Sequence, residues 1–331
     1  APGITRNGSA PRSRICQMTY KNSGVDIEEK EEAIHQLLSS IRTKRKGTIG
    51  RPMGGHYAGL IEFGDYALVL CTDGVGTKVR IAEALKKYDT IGIDCIAMNV
   101  NDALCVGAEP LAFVDYLAME DPNPKITKEI GKGLEKGARL SNISIVGGET
   151  ADLPELINGF DLAGTCLAYV KKNRIILGDK IHPGDAIIGL SSSGIHSNGY
   201  TLARRVIEEA EFCYTDLFPD GLYPKKTIGE IMLTPTRIYV KEILELFTRI
   251  DVHGLAHITG SGLWNIPRLK SNVKYLLDDP LEPQPIFRFL QQYGNIDDFE
   301  MYQIFNMGMG LTIIVGKEDA QETIKILRTH S

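Results

Sequence analysis

Asp73, Gly74, Gly76, Thr77 and Lys78 fall in one short run, Thr72-Asp73-Gly74-Val75-Gly76-Thr77-Lys78, directly after the apolar stretch Tyr66–Cys71. A carboxylate, two glycines, a hydroxyl and an ammonium thus share one strand-end loop. Glycine permits close backbone approach and unusual φ, so main-chain N–H groups can turn toward an anion. Asp73 repels phosphate directly, and it suits a phosphate site when a divalent cation such as Mg²⁺ sits between the two. Gly74, Val75, Gly76, Thr77 and Lys78 then read as a phosphate cradle. A tight turn with a surface Asp and Lys is the competing reading, because short motifs recur by chance.

Three further segments carry groups of the same kind. The apolar period of 90–106 predicts a helix with Ile93, Ile96, Ala97, Val100 and Leu104 in one core arc. Asp94, Met98, Asn101 and Asp102 lie on its other side, either as a solvated face or as part of an oxygen-rich metal site with Asp73. Gly147-Gly148-Glu149-Thr150-Ala151-Asp152 reads as a loop after the strand 143–146, with Glu149 reaching a cation in a cleft or simply facing water. Asp73, Asp102 and Glu149 are therefore the hard-oxygen candidates for Mg²⁺. Ser191–Gly199 links a strand to a helix and offers hydroxyls, the Asn198 amide and a helix N-terminus to an anion. His196 within it is a candidate general acid or base, or else an incidental histidine in a capping loop. His257-Ile258-Thr259-Gly260-Ser261-Gly262 repeats the pattern, so the two loops suggest a phosphorylated small molecule. His253 and His257 are four apart, but their run looks like strand, so a helical zinc pair is not expected.

The elements that must position these groups alternate between strand and helix, which argues α/β with mixed sheets. Helices are expected over 28–46, 79–87, 90–106, 127–140, 199–210, 235–249, 285–293 and 318–329. Strands are expected over 66–71, 111–119, 143–146, 160–170, 186–190, 252–258, 273–277 and 310–315. A chain of 331 residues predicts two domains. The polar stretch 171–185, with Gly178, Pro183 and Gly184, sets their boundary near 170–180, giving domains over 18–170 and 171–331. Residues 1–17 are rich in Gly, Pro, Ser and Arg without an apolar centre, so they read as a disordered or added leader and not as a secretory signal. Neither G-x-x-x-x-G-K-[ST] nor G-x-G-x-x-G occurs, which argues against P-loop and Rossmann sites. A net charge of −5 gives no footprint for nucleic acid, and no apolar run is long enough to suggest a membrane span. The six cysteines form no C-x-x-C pair and several lie in apolar runs, as reduced thiols of a cytoplasmic protein do.

In order and spacing the chain resembles the phosphoribosylformylglycinamidine cyclo-ligase (aminoimidazole ribonucleotide synthetase) family. The matching stretches are Thr19-Tyr20-Lys21 with Gly24-Val25-Asp26-Ile27, Thr72–Lys78, Asp89–Asp94, Asn101-Asp102 and Gly107-Ala108-Glu109-Pro110. Val146–Ala151, Ser192–Tyr200, Pro235–Lys241, Val252–Gly262 and Phe305-Asn306-Met307-Gly308 continue the series. The resemblance implies a homodimer of two-domain subunits, with N-terminal halves pairing into a β-barrel, a C-terminal mixed sheet with helices, and nucleotide near the interface. It implies ATP-dependent closure of formylglycinamidine ribonucleotide to 5-aminoimidazole ribonucleotide in cytoplasmic purine synthesis. On the residues, it implies Asp73, Asp102 and Glu149 for Mg²⁺, and Gly74–Lys78 with Asp94 and Asn101 for ATP. Asp73, Lys78 and His196 would be catalytic, with His196 as proton carrier. Ser197, Asn198, Gly199, His257, Thr259, Gly260, Ser261 and Gly262 would hold the substrate.

Two departures stand out. Gly54-Gly55-His56-Tyr57 is less rich in Gly and Phe than the corresponding loop of relatives, and the chain stops at Ser331, where relatives usually continue, so the terminus reads as incomplete. Selenophosphate synthetase and thiamine-phosphate kinase share the ATP-and-metal half. The former typically carries a reactive Cys or selenocysteine in an N-terminal glycine-rich loop, and Lys21–Ile27 has none. A nucleotide-binding regulatory protein that has lost catalysis is the rival from another class, and retention of the three carboxylates and His196 argues against it.

Overall fold

Along Tyr66–Gly74, buried Ala67, Val69 and Cys71 alternate with the more exposed Leu68, Leu70 and Thr72. That is the period-two pattern of a strand with one face on a core. The computed structural model describes residues 17–50, 56–219, 223 and 225–330. Apart from Gln17, the leader read at 1–17 lies outside them, as do Gly54-Gly55 and Ser331.

In the first half, β1 (Thr48–Ile49), β2 (Gly59–Phe63), β3 (Tyr66–Gly74), β4 (Glu109–Met119), β5 (Ser144–Asp152) and β6 (Phe160–Lys171) form one sheet in the order β1-β2-β3-β6-β4-β5. β6 runs antiparallel to both β3 and β4, and β5 runs parallel to β4. So β3, β4 and β5 share a direction, and their C-terminal ends lie along one edge. The helices are α1 (Ile27–Ser40), α2 (Val79–Leu85), α3 (Ile91–Leu104) and α4 (Pro124–Ser141). The Asp26 carboxylate caps α1 by accepting from the N–H groups of Glu28 and Glu29. α3 and α4 touch backbone to backbone: a Cβ on Gly92 would collide with the Leu134 nitrogen, which is why glycine stands there.

The second half carries a smaller antiparallel sheet of β7 (Ala186–Ser191), β8 (Val252–His257) and β9 (Met309–Val315), in the order β7-β9-β8. Every residue of β9, the central strand, is buried. Around it lie α5 (Tyr200–Glu209), α6 (Ile228–Met232), α7 (Val240–Phe247), α8 (Pro285–Gly294), α9 (Asp298–Ile304) and α10 (Ala320–Arg328). Among the described residues no helix is long and apolar enough to cross a membrane.

Three expectations change away from α3 and the segment that covers it. α1 ends at Ser40, short of the expected Lys46. The expected loop after 146 is instead strand as far as Asp152, because β5 pairs with β4 through Gly147, Gly148 and Glu149. The expected strand 273–277 is irregular chain, whose Val273, Tyr275 and Leu277 pack on the core without a ladder partner among the described residues. Alternating apolar residues satisfy burial there without hydrogen-bonded pairing.

α3 is the central element. The expectation of one core arc and one polar face understates its burial: of its 14 residues, all but Asp102 are buried. The arc packs toward the sheet and α4, and the polar face is covered by the second half. The segment 235–239, expected to begin a helix, is irregular chain that lies along that face. Its Tyr239 N–H donates to Asn101 Oδ1 at 3.1 Å, and its Arg237 carbonyl accepts from Asn101 Nδ2 at 2.9 Å.

Candidate active site at the seam between the two halves

The seam is held by a buried ion pair. Lys78 Nζ donates to Asp94 Oδ1 at 2.9 Å, to the His196 carbonyl at 3.0 Å and to the Thr234 carbonyl at 2.7 Å. Both side chains are wholly inaccessible to solvent. Burial pulls the Lys78 ammonium down from its ordinary pKa, and Asp94 pulls it back up. Asp94 Oδ1 also accepts from the Thr236 N–H and from Thr236 Oγ1, each at 2.7 Å, and from Ser197 Oγ at 3.4 Å. Lys78, Asp94, Asn101 and Ser197, expected to face nucleotide or substrate, are here engaged with each other and with the facing half of the chain. In this arrangement their polar groups join the two halves, and Lys78 has no ammonium proton left for a phosphate.

Beside this weld, β3 ends in Asp73, α3 ends near Asp102, and β8 ends in His257. His257 Nδ1 lies 2.8 Å from Asp102 Oδ1, and its Nε2 lies 3.5 Å from Asn101 Nδ2. The buried imidazole thus donates from Nδ1 and fixes the orientation of the Asp102 carboxylate. Asp73 is pushed up to about 6, by burial first and by the Asp102 charge second, with the Gly74 N–H and His257 opposing. A buried carboxylate raised in part by the charge of a neighbouring one is relieved by a hard divalent cation, so Asp73 beside Asp102 fits Mg²⁺.

Glu149 does not join them. Sheet register places Asp73, Gly164, Asp115 and Gly148 in one row, and Glu149 stands in the next row beside the exposed Tyr116. It lies three strands from Asp73, about 14 Å, with its side chain on the opposite face. Among the described residues, Asp73, Asp102 and Glu149 do not bring three ligand atoms within 4.8 Å; His182, Asp185 and His253 do. Asp115 shares the helix-side face with Asp73, and burial raises its carboxyl. The sequence reading passed over it, although a carboxylate within the apolar run 111–119 was the available signal.

The loop after Asp73 leaves Gly76 and Thr77 exposed, with Thr77 Oγ1 3.3 Å from Thr201 Oγ1. The Gly74 and Val75 N–H groups already donate, to Asp73 Oδ1 and to the Leu162 carbonyl. Asn198 and Gly260 meet across the gap, a Cβ on Gly260 falling 3.0 Å from Asn198 Oδ1, and Thr259 and Ser261 are half-buried beside them. Gly199 begins α5 with φ +81°, and Gly262 is packed under the Tyr302 carbonyl, so both shape the backbone and offer no side chain.

His196 is buried, with φ +66°. Its Nε2 accepts from the Ser193 N–H at 3.0 Å, which places the ring proton on Nδ1, where no acceptor lies among the described residues. Burial holds its pKa well below the ordinary imidazole value, and His257, Lys78 and Arg237 add to the effect, so the ring is neutral. Arg237 was not foreseen either. It donates to Ser191 Oγ at 2.9 Å and to Glu242 Oε1 at 3.1 Å, bracing the start of the His196 loop.

Family models match the chain in two pieces: AIR synthase related protein, N-terminal domain, over residues 55–170, and AIR synthase related protein, C-terminal domain, over 182–331. The chain belongs to this family. It is 53% identical over 311 residues to a phosphoribosylformylglycinamidine cyclo-ligase of Methanococcoides burtonii, covering 93% of this chain and 92% of the relative. A Methanocaldococcus jannaschii protein of the same name is 52% identical over 95% of this chain and 89% of its own. Among solved structures, a thiamine-monophosphate kinase from Stenotrophomonas maltophilia is similar at TM-score 0.60 and 17% identity, covering 91% of this chain and 88% of that one. At that identity the likeness is one of fold.

Because Asp73 is raised when folded, its stabilising neutral form is complete below the unfolded value of 3.8 and is lost as pH rises through about 6. Asp73→Asn removes that cost. In metal-free buffer at about pH 8, urea unfolding should show the variant about 1–2 kcal/mol more stable than the parent.

Proposed function

We propose that this protein is an ATP-dependent cyclo-ligase that converts formylglycinamidine ribonucleotide to 5-aminoimidazole ribonucleotide, with release of ADP and phosphate, in purine biosynthesis. The observation that carries the reading is 53% identity to a cyclo-ligase across 93% of the chain. Fold neighbours described as AaThiL complexed with AMPPCP and TMP, and as HypE in complex with ATP, support ATP as the phosphoryl donor.

The chemistry follows from a poor leaving group. Attack of the formamide oxygen on the γ-phosphorus forms an O–P bond and releases ADP. A neighbouring substrate nitrogen then attacks the activated carbon, a C–N bond closes the ring, and phosphate departs with the former amide oxygen as the nitrogen gives up a proton. When bound, Mg²⁺ neutralises charge on the phosphoryl group. Asp73 and Asp102 are the residues to hold it, with His257 aiming Asp102. The Gly74–Thr77 loop faces the triphosphate, while Asn198, Thr259, Gly260 and Ser261 take the ribonucleotide. His196, neutral and with Nε2 engaged by the Ser193 N–H, keeps its proton on Nδ1 and acts there as a hydrogen-bond donor, while the proton given up by the ring nitrogen leaves on the departing phosphate. Lys78, Asp94, Asn101 and Ser197 act one step back, holding these two sets of groups face to face, since positioning is most of what phosphoryl transfer requires.

The division into an ATP, metal and dimerisation domain over 18–170 and an α/β domain over 171–331 is part of this reading. So is the homodimer with a barrel across its interface. Leu70, Val114 and Tyr116, on the sheet face away from α3, are 52%, 40% and 46% exposed, which is costly for an isolated subunit. Glu149 lies on this face and so belongs to the dimer interface more than to the Asp73 pair. The free thiols Cys71, Cys95, Cys105 and Cys166, all buried, support a reducing, cytoplasmic compartment.

Mg·ATP with formylglycinamidine ribonucleotide should give ADP and the aminoimidazole in equal amounts, with neither formed when the ribonucleotide is omitted; ADP without amine would sink the assignment. At sedimentation equilibrium the parent should run as a dimer and Val114→Asp as a monomer; a dimeric variant would remove this face from the interface, and a monomeric parent would remove the homodimer.

A further inference from the structure

Away from the seam, one cluster has the composition of a transition-metal site. His182, Asp185 and His253 each offer a ligand atom, and the three atoms lie within 4.8 Å of one another. The backbone builds the cluster from two directions. His182-Pro183-Gly184-Asp185 is a reverse turn in which the Asp185 N–H donates to the His182 carbonyl at 3.1 Å and Gly184 takes φ +99°. Proline second and a positive-φ glycine third make this a type II turn, which holds His182 and Asp185 side by side. The His182 N–H then closes on Asp185 Oδ2 at 2.9 Å. His253 comes from β8, where the ladder shifts register between Val252 and Gly254 and frees it to turn aside. Val315 of β9 pairs with Ala186 on one side and Val252 on the other, so turn and bulge flank the same strand end. There His253 Nδ1 lies 2.7 Å from Asp185 Oδ2, and the two imidazole rings are 6.4 Å apart.

We propose that His182, Asp185 and His253 bind one divalent transition metal of the Zn²⁺ class. Two imidazoles and one carboxylate favour Zn²⁺, Co²⁺ or Ni²⁺ over Mg²⁺, and three protein ligands leave a fourth position for water. The side chains of Asp185 and His253 are only 12% and 18% exposed, so the carboxylate and one imidazole are preorganised, while exposed His182 leaves an entry path. The site is separate from the catalytic one. β8 carries His253 near its start and His257 at its end, about 13 Å apart along the strand. A bound ion clips the turn before β7 to β8 across the end of β9.

The test is titration of the metal-stripped full-length protein with Co²⁺ and then Zn²⁺ in buffer containing Mg²⁺. One equivalent of Co²⁺ should give the visible absorption of a tetrahedral site, and Zn²⁺ should displace it and raise the thermal unfolding midpoint. Loss of a mere outer partner costs metal sites 10–100-fold, so His182→Ala and His253→Ala should each weaken binding at least about tenfold. Turnover with saturating Mg·ATP should stay unchanged in both. His182 is exposed on a turn, so its variant remains informative even if His253→Ala folds poorly. No binding by the parent protein, or equal affinity in parent and His182→Ala, overturns the proposal. These binding readouts stand independently of the cyclo-ligase assay.

Discussion

A lysine ammonium and an aspartate carboxylate with no access to water hold each other in place. Lys78 and Asp94 are such a pair, and each is further bound by groups from the second half of the chain: the His196 and Thr234 carbonyls on one, Thr236 and Ser197 on the other. Removing either partner alone leaves a buried charge uncompensated, which is far more costly than the pair is stabilising. The position of the second half against α3 is thereby tied to two side chains of the first. The whole cleft depends on that constraint, because its walls come from different halves.

From the weld, the electrostatics of the site follow outward. α3 presents Asp94, Asn101 and Asp102 along one face; the first two are consumed in joining the halves, and the third emerges at the seam to meet His257. Asp73, one strand end away, feels burial and the Asp102 charge together. Histidines 196 and 257 differ in role although each follows an apolar strand. His257 donates to a carboxylate, and His196 accepts from backbone and is kept neutral by burial and nearby cations. A carboxylate pair that gains from a cation and a neutral imidazole that offers an N–H at the same seam suit charge neutralisation and positioning in phosphoryl transfer.

The alternation of strands and helices, the helical span of 90–106 and the strand-end placement of Asp73 were legible because hydrophobic period reports local geometry directly. Lys78 was not. In sequence it is the last residue of a glycine-rich loop, and only tertiary contact with residues more than a hundred positions later shows that its ammonium is spent. Asn101 is hidden for the same reason. Glu149 misled because a Gly-Gly pair reads as a turn, whereas parallel pairing with β4 continues the strand and alternation sends the side chain to the other face. Asp115 was overlooked because a single carboxylate inside an apolar strand has no spacing pattern of its own. The 235–239 segment, expected to begin a helix, is instead irregular chain tied to α3 by hydrogen bonds that no local pattern records.

The measurement that tests the central claim most directly is urea unfolding of Lys78→Met beside the parent protein. If Lys78 is the weld, the variant loses about 3–5 kcal/mol of stability, because Asp94 is left buried and unpaired. If Lys78 instead serves the nucleotide phosphates, the unfolding midpoint stays where it was while affinity for Mg·ATP collapses, and that result would contradict the account.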